Sequence, residues 1–298
     1  MDKSKIVLGT VLAFLMSIDM FADRALPGLW QTKKLADGTE IRVELSGDEF
    51  VQYWKSATGA MYLEREGVLM PTSPKTIDSL AYCKRFRTLI HGSRNEARTL
   101  ADKRRKGQFI GQKKGLIILV EFKDKRFAMN SPQEYYTQLA NEKGFNDGMQ
   151  NGSVHDYFYE QSYGLFDLRF DVAGPVKMLD EYAFYGQDGS NGEIDVNVGS
   201  MLVSAINMVS DQIEWSEYDW DGDNEVEQVY FIYAGGGQAT GAGSNTIWPH
   251  KHNLRYVKES GYKPIEKNGI VIDTYACSNE VNQNGKTAGS SRGCGGSR

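Results

Sequence analysis

The apolar run Leu116–Phe122 (LIILVEF) constrains the fold more than any other segment of the chain. A strand with one exposed face alternates apolar and polar residues, whereas a short, almost continuous apolar run bounded by turn-forming residues is typical of a central strand buried on both faces. Such a strand needs other elements packed against both of its faces. We therefore expect a layered, sheet-containing fold built around this run.

The segments that follow predict both helices and strands. Ser131 and Pro132 predict the start of a helix that runs to about Leu139, with serine as the capping residue and proline at the first helical position. Ser153, with an acidic residue three positions later, predicts a second helix. Periodicity predicts four more elements: a helix over Val198–Val209 and strands over Phe166–Val172, Gln228–Ala234 and Ile270–Ala276. This order of elements predicts an α/β (α+β) layered fold.

A smaller β-rich unit is expected ahead of this part, from about residue 26 to residue 72. Asp37-Gly38 predicts a hairpin turn, and the following residues alternate so that Ile41, Val43 and Leu45 share one face. Residues 56–59 predict another turn, and a short strand follows it. We interpret residues 23–107 as this unit together with a linker, and residues 108–288 as the larger unit.

Three segments are expected to lie outside the folded units. Residues 1–22 contain lysines, then an apolar run, then small residues, which is the order found in a secretory signal peptide. We therefore expect a secreted, periplasmic or cell-surface protein. The cluster Lys103–Lys106 lies in a polar, basic linker, and residues 289–298 lack apolar periodicity, which predicts an unstructured tail.

Composition narrows the classes of function. A net charge of −5 gives no overall attraction to nucleic acid, and the basic linker lacks the interleaved aromatic residues of a nucleic-acid surface. No segment after the signal peptide is long and apolar enough to cross a membrane. Cys83, Cys277 and Cys294 are widely spaced, so they predict isolated thiols or at most one disulfide bond.

The segment Tyr218–Gln228 (YDWDGDNEVEQ) carries the clearest chemical signal. Closely spaced carboxylates repel one another unless a cation lies among them, and hard oxygen ligands on a curled loop suit Ca²⁺. When Asp219 is counted as position 1 of an EF-hand calcium loop, the sixth position is Asn224. Asparagine tolerates the left-handed backbone that glycine usually supplies there. Position 12 is tyrosine, so this is not a complete EF-hand. An acidic surface turn without an ion remains the alternative. The predicted ligands are the side chains of Asp219, Asp221, Asp223 and Glu227, with the backbone carbonyl of Glu225.

Motifs for catalysis are not found in the 298 residues. One common zinc-hydrolase motif is H-E-x-x-H, which places two histidines on one helix face with a glutamate base between them, and none of the four histidines precedes a glutamate. His250 and His252 would share one face of a strand, but the sequence offers no third ligand beside them. No G-x-S-x-G motif occurs, and the glycine-rich Ala234–Ser244 fits no nucleotide-binding pattern. We therefore assign no catalytic residue.

Several strings resemble the immune-inhibitor-A family of zinc metallopeptidases. They occur in the family's order: LPGLWQTKKLADGTEIRVELSGDEF, KKGLIILVEFKDKRF, SVHDYFYEQSYGLFDLRFDVAGPV, DWDGDNEVEQVYFIYAGGG and NTIWPHKH. The resemblance covers about residues 26–280. It implies a secreted endopeptidase with a propeptide, a zincin-like catalytic domain, zinc, bound calcium, and protein or peptide substrates.

The chain departs from the family pattern at two points. The H-E-x-x-H helix expected shortly after Ile272–Glu280 is not present, which predicts a truncated and inactive chain, and Asn224 and Glu227 replace the expected glycine and aspartate. The main prediction is thus a metallopeptidase-family chain that is inactive or incomplete. The alternative is a calcium-binding secreted module that binds a partner or a protease without catalysis.

Overall fold

The computed structural model describes residues 24–48, 50–81, 109–148, 150–189 and 194–281. The predicted signal peptide, the basic cluster Lys103–Lys106 and the predicted tail lie outside these ranges, as do Cys83 and Cys294. The described part contains both helices and strands in an α+β arrangement, as predicted. No helix within it is long and apolar enough to cross a membrane.

The N-terminal unit is a closed five-stranded barrel, which we call the barrel. Its strands are β1 (Trp30–Leu35), β2 (Glu40–Gly47), β3 (Gln52–Ser56), β4 (Met61–Arg65) and β5 (Val68–Thr72). Each strand pairs antiparallel with the next, and β1 and β5 close the barrel in parallel. The predicted turns are confirmed: Gly38 N–H donates to the Leu35 carbonyl and Gly59 N–H to the Ser56 carbonyl. A helical segment over residues 74–81 follows.

The predicted alternation in β2 is confirmed and supplies the barrel's interior. Val43 and Leu45 are buried, and Ile41 packs against the same cluster. Leu69 of β5 is fully buried among them. Pairing every strand edge in a closed barrel leaves no free edge for aggregation.

The larger unit is built on a five-stranded sheet in the order β10-β13-β9-β6-β7. Its strands are β6 (Gly111–Glu121), β7 (Phe166–Lys177), β9 (Val229–Gly236), β10 (His250–Asn253) and β13 (Thr274–Val281). Four strands run parallel, and only the edge strand β10 is antiparallel to its neighbour. The remaining strands, β8 (Glu225–Val226), β11 (Ile265–Lys267) and β12 (Ile270–Ile272), form a small second sheet.

Strand β6 confirms the prediction of a central strand, because it lies between β9 and β7 and its residues 116–120 are buried. The predicted strand Ile270–Ala276 is wrong as one element. It divides at Asp273 into β12 and β13, which belong to different sheets. Asp273 is fully buried and its carboxylate bonds Arg255 and Asn253, so this break is fixed by side-chain contacts that periodicity does not reveal.

The helices are α1 (Pro132–Asn141), α2 (Val154–Gln161), α3 (Tyr182–Tyr185) and α4 (Val198–Val209). Helix α4 matches the predicted range, and Ser153 and Asp156 form the reciprocal cap predicted for α2. Ser131 makes no side-chain capping bond, so the expected serine cap of α1 is wrong, although Pro132 does occupy its first turn.

Both faces of the large sheet are covered. The side chains of α4 share one cluster with Leu116 and Ile118 of β6, whereas Tyr136 and Ala140 of α1 pack with Ile117 on the other face. Strand β9, next to β6, is buried along most of its length.

Candidate metal site and a buried polar contact

Residues Asp219–Glu227, which we call the acidic loop, curl around the carboxylate of Asp219. One oxygen accepts the backbone N–H groups of Gly222 and Asp223 at 2.8 and 3.2 Å, and the other accepts that of Asn224 at 2.8 Å. Gly222 and Asn224 have φ of 76° and 66°, so the left-handed backbone predicted for Asn224 is confirmed. Asparagine tolerates this conformation better than most residues because its short side chain bonds locally.

The loop is tied to the large sheet through Trp220. The indole N–H of Trp220 donates to the Lys114 carbonyl at 2.6 Å, and Lys113 Nζ donates to the Trp220 carbonyl at 2.5 Å. Both lysines lie on β6. The far end of the loop enters β8, where Glu225 and Val226 pair in parallel with β12. The acidic loop therefore has fixed ends, which reduces the entropy lost when an ion orders it.

Three of the four predicted side-chain ligands come together. Single carboxylate oxygens of Asp219, Asp221 and Glu227 all lie within 4.8 Å of one another, and all three residues are partly buried. The Asp223 carboxylate is outside that group of side-chain oxygens, and its Oδ1 instead accepts the Glu225 N–H at 3.0 Å. The backbone carbonyl of Glu225 stays a predicted ligand. Glu227 also accepts the Trp220 N–H at 2.7 Å, so its carboxylate is oriented toward the start of the loop.

The neighbouring surface is also acidic. A cavity of about 300 Å³ is lined by Asp171, Glu214 and Glu217, among others, and by Tyr218, the residue that precedes the loop. Lys114 offsets part of this charge: it bonds Glu217 at 2.7 Å and lies 3.4 Å from Asp171. The bond to Glu217 is the main cause that raises the pKa of Lys114. The field around the acidic loop thus favours cations over anions.

The two histidines of β10 do not join a group of metal ligands. His250 Nδ1 lies 2.7 Å from the Trp248 carbonyl and its Nε2 lies 2.9 Å from the Tyr275 hydroxyl, so both nitrogens already have partners. Burial and the nearby His250 lower the pKa of His252 to about 4. Among the described residues, the three carboxylates of the acidic loop are the one group of three or more histidine, cysteine or acidic side chains close enough to share an ion.

A second polar cluster lies where the barrel meets the larger unit, and the sequence did not predict it. Gln238 Nε2 donates to Gln52 Oε1 of the barrel at 2.8 Å and lies 3.3 Å from Asp188 Oδ2. Asp188 Oδ1 accepts the N–H of Asp195, and Asp195 Oδ2 accepts the N–H of Trp248 at 2.7 Å. These residues are far apart in sequence, and the sequence analysis assigns no role to any of them.

Asp195 is the least expected member of this cluster, because it is a carboxylate with only 4% of its surface exposed. Its Oδ1 has no hydrogen-bond partner within the described part of the chain. Burial is the main cause that raises the pKa of Asp195 well above its ordinary value, although His250 and the Trp248 N–H favour the ionised form. Its backbone has φ of 52°, which is uncommon for a residue other than glycine.

Comparison of the chain with models of protein families and with characterised proteins gives no match. The functional argument therefore depends on the residues and on the geometry described above.

Proposed function

We propose that this chain is an exported calcium-binding protein related to zinc metallopeptidases, with Ca²⁺ bound by the acidic loop. The observation that supports the calcium site is the convergence of Asp219, Asp221 and Glu227. Carboxylates at this separation repel one another, and a divalent cation between them converts that repulsion into attraction.

The distances suit Ca²⁺. Its oxygen ligands lie about 2.3–2.6 Å from the ion, so two ligands on opposite sides are separated by about 4.6–5.2 Å. The three oxygens of the acidic loop lie within 4.8 Å of one another. The remaining ligands would come from water and from backbone carbonyls, for which we propose that of Glu225. We also propose that the Asp223 carboxylate becomes a ligand when the loop orders around the ion.

The relation to metallopeptidases is supported by the ordered strings that resemble the immune-inhibitor-A family. Three of those strings form neighbouring parts of one sheet: Lys113–Phe127 contains most of β6, Ser153–Val176 contains most of β7, and β9 follows the acidic loop. We propose a zincin-like layering and a propeptide role for the barrel on this basis. Protein or peptide substrates belong to the same proposal, and the zinc ligands are not among these 298 residues.

Calcium binding is tested by thermal unfolding of the full chain in EDTA and in increasing CaCl₂. A ligand that binds only the folded state stabilises it by about 2.7 kcal/mol at a hundred times its Kd. We expect the wild type and the control Asp211→Ala, which changes an exposed aspartate outside the loop, to gain stability, and Asp221→Ala to lose the response. An unchanged wild-type melting curve at millimolar Ca²⁺ would refute the site.

The peptidase part is tested separately with casein or gelatin as substrate. Without H-E-x-x-H there is neither a zinc-bound water nor a glutamate base, so we expect no chelator-sensitive hydrolysis by the 298-residue chain with added zinc. Turnover that EDTA abolishes would contradict this expectation. If the DNA downstream of Arg298 encodes H-E-x-x-H in any frame, the peptidase relation is strengthened over the alternative of a calcium-binding module that binds a partner or a protease without catalysis.

A further inference from the structure

Trp248 belongs to the barrel's hydrophobic core although it lies 176 residues after the end of β5 at Thr72. Its side chain is fully buried, and its cluster contains Val43, Leu45 and Trp54 of the barrel. Ala239, which is 2% exposed, belongs to the same cluster. The segment Gln238–Trp248, which we call the contact segment, therefore supplies part of the interior that the barrel strands alone do not fill.

Hydrogen bonds between the barrel and the contact segment accompany this apolar contact. The Leu26 N–H donates to the Ala239 carbonyl at 3.0 Å, which joins the chain just ahead of β1 to the contact segment. On β3, Gln52 accepts from Gln238, and Gln238 also lies beside Asp188. Hydrogen-bonding groups removed from water are costly to leave unpaired, and these bonds are partly buried, so they favour one orientation of the barrel.

Side chains of both units make this contact directly. The described residues of this cluster lie at 25–69 on one side and at 194–248 on the other. A non-covalent contact with a fully buried tryptophan at its centre has the character of an interface hot spot, where aromatic side chains supply most of the binding energy.

We propose that the barrel and the contact segment form an interface that holds the barrel in place after the chain is cut in the linker. The partner of this surface is thus the larger unit of the same chain. Cleavage at the basic cluster would convert the protein into a two-fragment complex without releasing the barrel. This inference is independent of calcium binding and of any peptidase activity.

The test uses the full chain with a recognition sequence for a site-specific endoprotease inserted between Lys106 and Gly107. After complete cleavage, the protein is passed over a size-exclusion column at about 1 µM in native buffer, and each peak is examined by denaturing gel. We expect both fragments to elute together. Separate elution of the two fragments would overturn the proposal.

Matched substitutions locate the interface. Ala239→Glu places a carboxylate inside the shared apolar cluster, and a buried unpaired charge costs several kcal/mol, so we expect association to weaken by about a hundredfold or more. Ala242→Glu adds the same charge three residues away, where the side chain is exposed, and should leave the fragments together. If Ala239→Glu fragments still co-elute, the barrel is held by a different surface and the assignment to the contact segment is wrong. Circular dichroism before cleavage verifies that each variant is folded.

Discussion

The acidic loop and the buried contact around Asp195 both contain carboxyl groups, but the two surroundings favour opposite charge states of those groups. In the loop, three partly buried carboxylates lie within 4.8 Å of one another and Asp219 accepts three backbone N–H groups. Asp195 is almost fully buried, and burial favours its neutral form. Partly exposed carboxylates held close together attract a cation, whereas a single carboxylate removed from water takes up a proton more readily.

The largest effect is expected at the buried contact. Trp248→Ala removes a fully buried indole from a core that the barrel and the larger unit share, and such truncations cost about 3–5 kcal/mol. The free energy of unfolding from urea titrations measures the loss. Trp30→Ala is the control within the barrel, because Trp30 is only partly buried and contacts Arg42 through its ring face. Equal losses for the two variants would show that the contact segment contributes no more than an ordinary barrel side chain.

A smaller effect on stability is expected from substitutions in the acidic loop. They distinguish a carboxylate that holds the loop by hydrogen bonds from one that serves only as an ion ligand. In EDTA, Asp219→Ala removes the acceptor of three backbone N–H groups, and we expect a loss of about 2 kcal/mol, which is typical of hydrogen bonds to a charged group. In EDTA, Asp221→Ala instead relieves repulsion within the carboxylate group, so we expect no loss or a small gain. Thermal unfolding of both variants with and without Ca²⁺ makes the comparison. If both lose stability equally in EDTA, the loop is held by all its carboxylates alike.

The contrast between the regions also explains what the sequence predicted. The acidic loop was predicted from the sequence because its ligands are only two to eight positions apart, and a curled loop can bring ligands at such spacings together. Helix α4 and the cap at Ser153 were found for the same reason, since both depend on neighbours within one or two turns. The left-handed backbone predicted for Asn224 also depends only on nearby residues, and it is confirmed.

The buried contact shows why the rest was not predicted. Gln52, Gln238 and Asp195 are ordinary polar residues by composition, and only the folded chain brings them together. Asp273 likewise interrupts an apolar run, and its role in separating β12 from β13 depends on Arg255 and Asn253, about twenty residues earlier. Ser131 precedes Pro132 as a capping residue would, yet its side chain makes no capping bond, so a capping preference is weaker evidence than the reciprocal pair at Ser153.

The smallest expected effect on stability comes from the charge of Asp195, and it tests directly whether this carboxyl differs from those of the acidic loop. Four groups bear on this carboxyl: the Trp248 N–H and His250 favour its ionised form, and Asp188 and Cys277 oppose it. Because burial outweighs the favourable pair and raises the pKa of Asp195 in the folded state, the unfolded chain releases this proton at a lower pH than the folded chain does. The contribution of Asp195 to stability is therefore fully present below its ordinary pKa and is lost as pH rises through the raised value.

Asp195→Asn removes this dependence, since an amide keeps an acceptor for the Trp248 N–H and does not ionise. We expect the variant to match the wild type near pH 4 and to be more stable by about 1 kcal/mol at pH 7.5, a typical size for a single-site change. Urea unfolding at half-unit pH steps measures the difference, and Asp211→Asn, at an exposed aspartate, should leave the wild-type profile unchanged. A difference between Asp195→Asn and wild type that is constant across the whole pH range would mean that folding does not raise the pKa of Asp195, so that the carboxyl is ionised at neutral pH. In that case Asp195 would resemble the carboxylates of the acidic loop, and the distinction between the two regions would fail.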